Sequence, residues 1–136
     1  MSPINHILLI DDDYICNFIH EKVVQTSGLC EHIKTVLRGI DGLQYLKMCT
    51  TENKPLPDII FLDINMPEMN GWDFLDHFAQ LDAEIREGVQ IYMLSSSQNE
   101  GDLLKASNNS LVSGFLHKPL SIEALQEKFN KKGSQD

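Results

Sequence analysis

The sequence predicts an α/β protein in which five parallel strands form a doubly wound sheet with helices on both faces. Short apolar runs of strand length alternate five times with segments of helical periodicity. The clearest run, from Ile59 to Leu62, contains no polar residue. Such a run is typical of a strand that is buried on both faces, as in a parallel sheet.

The composition of the chain limits the functions that it can have. Its 136 residues suit one domain with its own core, and its hydrophobic content of 42% is that of a globular protein. With 11 Lys and Arg residues against 20 Asp and Glu residues, the net charge is −9. Because the chain also lacks a run of basic residues, we expect no binding to nucleic acid or to an anionic membrane.

Three further observations predict a cytoplasmic protein. The cysteines Cys16, Cys30 and Cys49 are odd in number and have no C-x-x-C spacing, so we expect free thiols in a reducing compartment. No apolar stretch approaches the length of a membrane span. The N-terminus lacks the pattern of a signal peptide.

The five strands are predicted at about 6–10, 32–37, 59–62, 91–94 and 113–117. Helices are predicted at about 14–26, 40–49, 71–81, 98–107 and 122–131. The charged connection 82–88 is expected to be helical in part, and 132–136 form a short polar tail.

Each helix is expected to bury the apolar residues that recur at helical spacing. In the first helix these are Ile15, Phe18, Ile19 and Val23. In the later helices they are Leu43 and Leu46; Phe74, Leu75, Phe78 and Leu81; Leu103 and Leu104; and Ile122, Leu125 and Phe129.

Polar residues mark several helix ends. Asp12 or Asp13 can cap the first helix, and Ser27-Gly28 can end it. Ser97 and Glu100 have the spacing of a capping box, and Ser121 can cap the last helix.

Two of the predicted strands end in acidic residues. The run Ile7–Ile10 is followed by Asp11, Asp12 and Asp13, and the run that starts at Ile59 is followed by Asp63. Ligands bind outside the carboxyl ends of strands in open α/β sheets, and crowded carboxylates repel one another. Mg²⁺ prefers oxygen ligands and would relieve that repulsion, so we predict a magnesium site. Taken singly, each acid can instead be read as a helix cap or a turn residue.

The next two strands end in groups that suit a phosphoryl ligand. The fourth strand ends in the Ser95 hydroxyl and the fifth in the Lys118 ammonium group. Beside a metal, Asp63 would act as the nucleophile and form an aspartyl phosphate. Lys118 would pair with one phosphoryl oxygen, and Ser95 would donate a hydrogen bond to another.

Four motifs resemble those of the receiver domain of bacterial two-component response regulators, in the single-domain plan of the chemotaxis regulator. They occur in the family's order and spacing over about 5–130. The motifs are Leu9-Ile10-Asp11-Asp12-Asp13, Leu62-Asp63-Ile64-Asn65-Met66-Pro67-Glu68-Met69-Asn70-Gly71, Leu94-Ser95-Ser96 and Phe115-Leu116-His117-Lys118-Pro119. The resemblance implies a flavodoxin-like sheet with strand order 2-1-3-4-5.

The resemblance also implies a role for each matching residue. Asp63 is the expected phosphoacceptor, and Lys118 is the expected phosphate-pairing lysine, with a cis bond to Pro119. Mg²⁺ is expected to bind to Asp11, Asp12, Asp63 and the backbone carbonyl of Asn65. Ser95 and Phe115 are the expected switch residues.

The family also implies the partners. The phosphoryl donor is expected to be a sensor histidine kinase or a histidine phosphotransfer domain. We expect a receiver domain at 4–131 followed only by the tail 132–136, with no output domain, so that output passes through contact with an unknown downstream protein. The connection 82–88 is longer than in short receivers, and 107–110 lack the usual Ala/Gly pattern; both differences bear on the output surface.

Two other functions are compatible with parts of the sequence. Asp11-x-Asp13-x-Ile15 is similar to the nucleophile motif of haloacid dehalogenase phosphatases, although Ile15 replaces Thr or Val and Asp63 is left unexplained. A receiver fold without phosphorylation is the other alternative, because fold alone does not prove activity. Steady turnover of a phosphomonoester would favour the phosphatase.

Some conspicuous residues have no predicted part in the chemistry. Trp72 is expected to be partly buried at the start of a helix, although it can also mark a partner surface. The five histidines show no metal-ligand spacing. His117 should point away from the site, because successive side chains of a strand face opposite ways.

Overall fold

A computed structural model describes residues 4–96 and 100–130 of the chain. Its five strands form one parallel sheet in the order β2-β1-β3-β4-β5, which confirms the predicted fold class and strand order. The strands are β1 (Ile7–Ile10), β2 (Ile33–Val36), β3 (Ile59–Asp63), β4 (Gln90–Ser95) and β5 (Val112–His117).

Helices cover both faces of the sheet. They are α1 (Tyr14–Ser27), α2 (Gly39–Thr51), α3 (Gly71–Phe78), α4 (Ala83–Gly88), α5 (Glu100–Ser107) and α6 (Ile122–Leu125), which continues as π-helical turns over Gln126–Asn130. α1 and α6 contribute to the core on one face, and α2 to α5 contribute to the core on the other. Among the described helices, none has the length and apolar character needed to cross a membrane.

The central strands are apolar without a break because they meet helices on both sides. Leu8 and Ile10 of β1 pack in the core under α2 to α5, whereas Ile7 and Leu9 pack in the core under α1 and α6. The same alternation holds along β3. Since successive side chains of a strand point to opposite faces, a doubly covered strand needs an apolar residue at every position.

Several helix ends have the predicted signals. The Asp13 carboxylate accepts hydrogen bonds from the backbone N–H groups of Ile15 and Cys16, and Gly28 ends α1 with a φ of 78°. Ser121 caps α6 through the N–H of Ala124. The capping box predicted at Ser97 lies outside the described residues, as do the last predicted residue of the final helix and the tail 132–136.

The predicted inner face of α1 is wrong for three of its four residues. Ile15, Phe18 and Ile19 are 64%, 52% and 45% exposed, whereas Val23 is partly buried and packs against the core. The buried side chains of α1 are Asn17, His20, Val24 and Ser27. Two hydrogen bonds from the Asn17 amide to the ends of β1 and β2 hold this face of the helix against the sheet, so the apolar stripe faces outward.

The predicted anchors of α5 are also wrong. Leu103 and Leu104 are exposed, whereas Ala106 is buried against the sheet. The other predicted core positions are buried or partly buried. The charged connection 82–88 forms α4, which Ile85 anchors, and α3 ends at Phe78 instead of continuing to Leu81.

Candidate functional site

Three carboxylates meet at the carboxyl edge of the sheet. β1 and β3 are parallel neighbours with Ile10 level with Leu62, so Asp11 and Asp63 leave the sheet side by side. Both are buried, whereas Asp12 is exposed. One oxygen from each of Asp11, Asp12 and Asp63 lies within 4.8 Å of the other two.

Lys118 reaches this cluster from the end of β5. Its Nζ lies 2.7 Å from Asp11 Oδ2 and 3.2 Å from Asp63 Oδ1. Burial acts to lower the pKa of Lys118, but the hydrogen bonds and charges of Asp11 and Asp63 outweigh it and raise this pKa above its usual value. The ammonium group therefore stays charged and bridges the two buried acids.

Asp63 is an acid with a strongly raised pKa. Its burial, together with the negative charge of Asp11, raises its pKa to about 6. Lys118 and the backbone N–H of Asn65 act in the opposite direction by stabilising the carboxylate. A carboxyl group with this pKa is ionised at pH 7 but remains a costly charge, which a cation would stabilise.

The loop between β3 and α3 is held close to Asp63. The backbone N–H of Gly71 donates to the Ile64 carbonyl at 2.8 Å. A Cβ at Gly71 would lie 2.9 Å from Ile64 Cα and 3.0 Å from the Asp63 carbonyl oxygen, so only glycine allows this approach. In the same loop, Glu68 has a φ of 68°, a left-handed conformation that is unfavourable for a residue with a side chain.

Ser95 and Phe115 occupy the ends of the next two strands. Ser95 is fully buried at the end of β4, and its carbonyl accepts a hydrogen bond of 2.9 Å from the Lys118 N–H. Phe115 is partly buried against the core, and its ring lies 5.4 Å from the His117 ring. The bond between Lys118 and Pro119 is cis, as predicted.

Two residues that were set aside in the sequence lie where they were expected. The exposed His117 meets the Phe115 ring edge to face, with 71° between the ring planes. The Asp13 carboxylate accepts from backbone N–H groups at the start of α1 at 2.9 and 3.2 Å. Because the Asp13 carboxylate is engaged as a helix cap, it is not available as the second acid of a phosphatase motif at Asp11-x-Asp13.

The donor set of the cluster fits magnesium. Mg²⁺ takes oxygen ligands and is usually held by one or two carboxylates, with water and phosphate oxygens completing its shell. Asp11, Asp12 and Asp63 offer three carboxylates at suitable mutual distances. The three free cysteines, which would suit a softer metal, are not part of the cluster.

The sequence interpretation missed two polar residues behind the site. Asn17 and His20 are 3% and 1% exposed on the inner face of α1. Burial lowers the pKa of His20, which also feels the charges of Asp11 and Lys118. The signal was present in the spacing of Asn17, His20, Val24 and Ser27, which share one helix face, but the stronger apolar stripe concealed it.

The comparisons with known proteins agree with this fold. The family model for the response regulator receiver domain matches residues 7–130. A crystal structure of a two-component response regulator from Cytophaga hutchinsonii has a TM-score of 0.87 and 33% identity, and the match covers 98% of this chain and 99% of that one.

Two curated relatives match over most of their own length. Response regulator Rcp1 of Synechocystis is 29% identical over 91% of this chain and 83% of its own. Sporulation initiation phosphotransferase F of Bacillus subtilis is 25% identical over 92% of this chain and 90% of its own.

This chain belongs to the response regulator receiver domain family of two-component signalling. Receiver domains are signalling switches that interact with histidine kinases or phosphotransfer proteins. The residue roles, the metal and the domain limits at 4–131 stay predictions.

Proposed function

We propose that this chain accepts a phosphoryl group on Asp63 from a sensor histidine kinase or a histidine phosphotransfer domain. The observation that carries this proposal is the buried cluster in which one Lys118 ammonium group contacts the carboxylates of both Asp11 and Asp63. Such a cluster costs free energy in a resting protein, and it suits a site where a phosphoryl group arrives.

Mg²⁺ would be held by Asp11, Asp12, Asp63 and the backbone carbonyl of Asn65. When bound, the ion would neutralise charge on the attacking carboxylate and on the phosphoryl oxygens. Asp11 and Asp12 contribute by placing two further carboxylate oxygens beside that of Asp63.

In the transfer step, a carboxylate oxygen of Asp63 attacks the phosphorus atom of a phosphohistidine. An O–P bond forms as the P–N bond breaks, and the bonding electron pair stays on the imidazole nitrogen, which takes up a proton. Lys118 then pairs with a phosphoryl oxygen, and the Ser95 hydroxyl donates to another. Attack by water later releases inorganic phosphate and restores the carboxylate, so no other substrate is turned over.

The response is proposed to pass through Ser95 and Phe115 to a downstream protein that the chain does not identify. A receiver unit of 4–131 would suffice for this, with output by protein contact. The free thiols Cys16, Cys30 and Cys49 suit the cytoplasm, which is the proposed compartment.

Labelling with acetyl phosphate tests the acceptor. With Mg²⁺, the protein should gain one acyl phosphate, which is stable in acid and labile in base, and Asp63→Asn should abolish it because an amide is a poor nucleophile. Asp12→Ala should reduce the labelling and raise the Mg²⁺ concentration that it requires. Asp76→Asn, at an exposed position of α3, is the matched control and should label like the parent. Undiminished labelling of Asp63→Asn, measured by intact mass, would refute the assignment.

A further inference from the structure

The buried face of α1 is unusually polar. Three of its four buried side chains are polar, namely those of Asn17, His20 and Ser27. The large apolar side chains of the same helix are exposed instead. A helix on the surface of a sheet ordinarily has the opposite arrangement, so the buried amide of Asn17 needs a reason other than apolar burial.

The Asn17 carboxamide ties together the ends of two strands. Its Nδ2 donates to the backbone carbonyl of Asp11 at 3.0 Å and to the backbone carbonyl of Val36 at 3.0 Å. These carbonyls follow β1 and end β2, which are adjacent in the sheet. Asn17 Oδ1 is buried and has no hydrogen-bond partner within 4–96 and 100–130. The unpaired oxygen offsets part of the stability that the two donated hydrogen bonds contribute.

The contacts of Asn17 determine how Asp11 is held. The main chain of Asp11 is bonded through its N–H to Val36 and through its carbonyl to Asn17. Its carboxylate accepts from the Asp13 N–H at 2.9 Å through Oδ1 and pairs with Lys118 through Oδ2. Because these contacts fix both the main chain and the carboxylate of Asp11, the carboxylate points toward Asp63 and the Lys118 ammonium group.

We propose that Asn17 is a positioning residue for the magnesium site: by holding the main chain of Asp11, it aims the Asp11 carboxylate at the ion. This inference rests on the proposed function, because it requires that Asp11 binds Mg²⁺. Residues that orient metal ligands from behind change metal affinity by about 10- to 100-fold when they are replaced.

Replacement of Asn17 by leucine tests the inference. Asn17→Leu keeps a similar volume but removes both donated hydrogen bonds. The Mg²⁺ dissociation constant, measured by calorimetry, should rise about tenfold or more, and the Mg²⁺ concentration for half-maximal labelling by acetyl phosphate should rise by the same factor. The metal-free free energy of unfolding is measured in parallel.

Ser27→Ala is the matched control. Ser27 is a buried polar residue on the same face of α1, bonded to the Val24 carbonyl and the Leu29 N–H, far along the helix from the site. This variant should lose stability without a change in the Mg²⁺ dissociation constant. If Asn17→Leu binds Mg²⁺ within twofold of the parent, Asn17 has only a structural role and the inference is wrong.

Asn17→Ser replaces Asn17→Leu if the leucine variant does not fold. It keeps one short donor, so an intermediate loss of Mg²⁺ affinity is expected, and an unchanged affinity again overturns the inference. Failure of the proposed function is a separate result, because there the parent itself neither binds Mg²⁺ nor accepts a phosphoryl group.

Discussion

Asp63 is a buried acid that shares its surroundings with the Asp11 carboxylate and the Lys118 ammonium group. Burial of the carboxylate is the first cause that raises the pKa of Asp63 to about 6, and the excess negative charge of two anions against one cation is the second. Protonation of Asp63 or binding of Mg²⁺ would remove this excess negative charge. The resting site is therefore destabilised at neutral pH, and the ligand that completes it also stabilises the fold.

The raised pKa of Asp63 predicts a pH-dependent stability difference between the parent and Asp63→Asn. An unfolded Asp titrates near ~3.9, so between about pH 4 and pH 6 the folded parent binds more protons than the unfolded chain, and its stability falls as pH rises. In metal-free buffer, Asp63→Asn should therefore be the more stable protein at pH 7, by on the order of 1–3 kcal/mol. The advantage should shrink to near zero at pH 4.

Denaturant unfolding in the presence of EDTA, from pH 4 to pH 8, measures this difference. Asp76→Asn serves as the control, because that acid is exposed and should follow the parent at every pH. A stability advantage of Asp63→Asn that stayed constant with pH would show that the raised pKa of Asp63 is not its source.

At the scale of single elements, α1 combines two roles on opposite faces. Its inner face holds Asn17 against the strand ends. Its outer face exposes Tyr14, Ile15, Phe18 and Ile19 over the first turns, directly after Asp12 and Asp13. The first turn lies close to the site, because the N–H of Asp13, the residue before α1, donates to the Asp11 carboxylate at 2.9 Å. We expect the phosphodonor protein to cover this outer face while its phosphohistidine reaches Asp63.

Ile15→Ser combined with Phe18→Ser tests this docking face. With a phosphorylated histidine phosphotransfer domain that is active on the parent, the transfer rate should fall about tenfold, because two apolar contacts are lost from a small interface. Labelling by acetyl phosphate should be unchanged, since a small donor needs no docking surface.

Leu104→Ser provides the control for this pair. Leu104 has the same apolar character and is 62% exposed, but it lies on α5. It should leave transfer from the protein donor unaffected. Equal losses with the protein donor and with acetyl phosphate would mean that the α1 variants damage the site and not a docking face.

Across the whole molecule, the site and the proposed output surface lie on connected elements. Ser95 ends β4 and precedes α5, which is held loosely: of its described side chains, Ala106 alone is buried. Phe115 of β5 packs in the same core as Ala106. On α3, Trp72 lies under Lys105 of α5, with 4.8 Å between Nζ and the ring centroid. We therefore expect a pull on Ser95 by a phosphoryl group to shift α5, let Phe115 rotate, and change the output surface formed by α5, β5 and α6.

The fluorescence of Trp72 measures this coupling, because it is the single tryptophan of the chain. Addition of beryllofluoride, a phosphoryl mimic, to the Mg²⁺-loaded protein should change the emission as Lys105 moves relative to the ring. Ser95→Ala should still accept phosphate at Asp63 but give less than half of the emission change, with fewer changes in amide exchange over α5 and β5.

Lys105→Gln is the control that assigns the signal. It removes the cation over Trp72 without touching the site, so it should lose most of the emission change and keep normal labelling. A Ser95→Ala protein that responded as fully as the parent, or changes in amide exchange confined to the Asp63 pocket, would exclude this route.

The sequence by itself determined the sheet, the order of the elements and the acids at the strand ends. Apolar runs such as Ile59–Leu62 are local patterns, and the point where each run stops places Asp11 and Asp63 at strand ends whatever surrounds them. The position of Lys118 after β5 followed in the same way. Only the fold could show that its ammonium group lies 2.7 Å from Asp11 and 3.2 Å from Asp63, because three strands that are distant in sequence had to meet.

The rotation of α1 and the anchoring of α5 were decided by tertiary structure alone. Apolar periodicity predicts which residues share a helix face, but not which face turns inward when polar contacts oppose it. In α1, Asn17 bonds to the ends of β1 and β2, and His20 and Val24 are buried on the same face, so Ile15, Phe18 and Ile19 face outward. In α5, the small Ala106 fits against the sheet while Leu103 and Leu104 remain exposed. Both outcomes depend on partners that no local pattern contains.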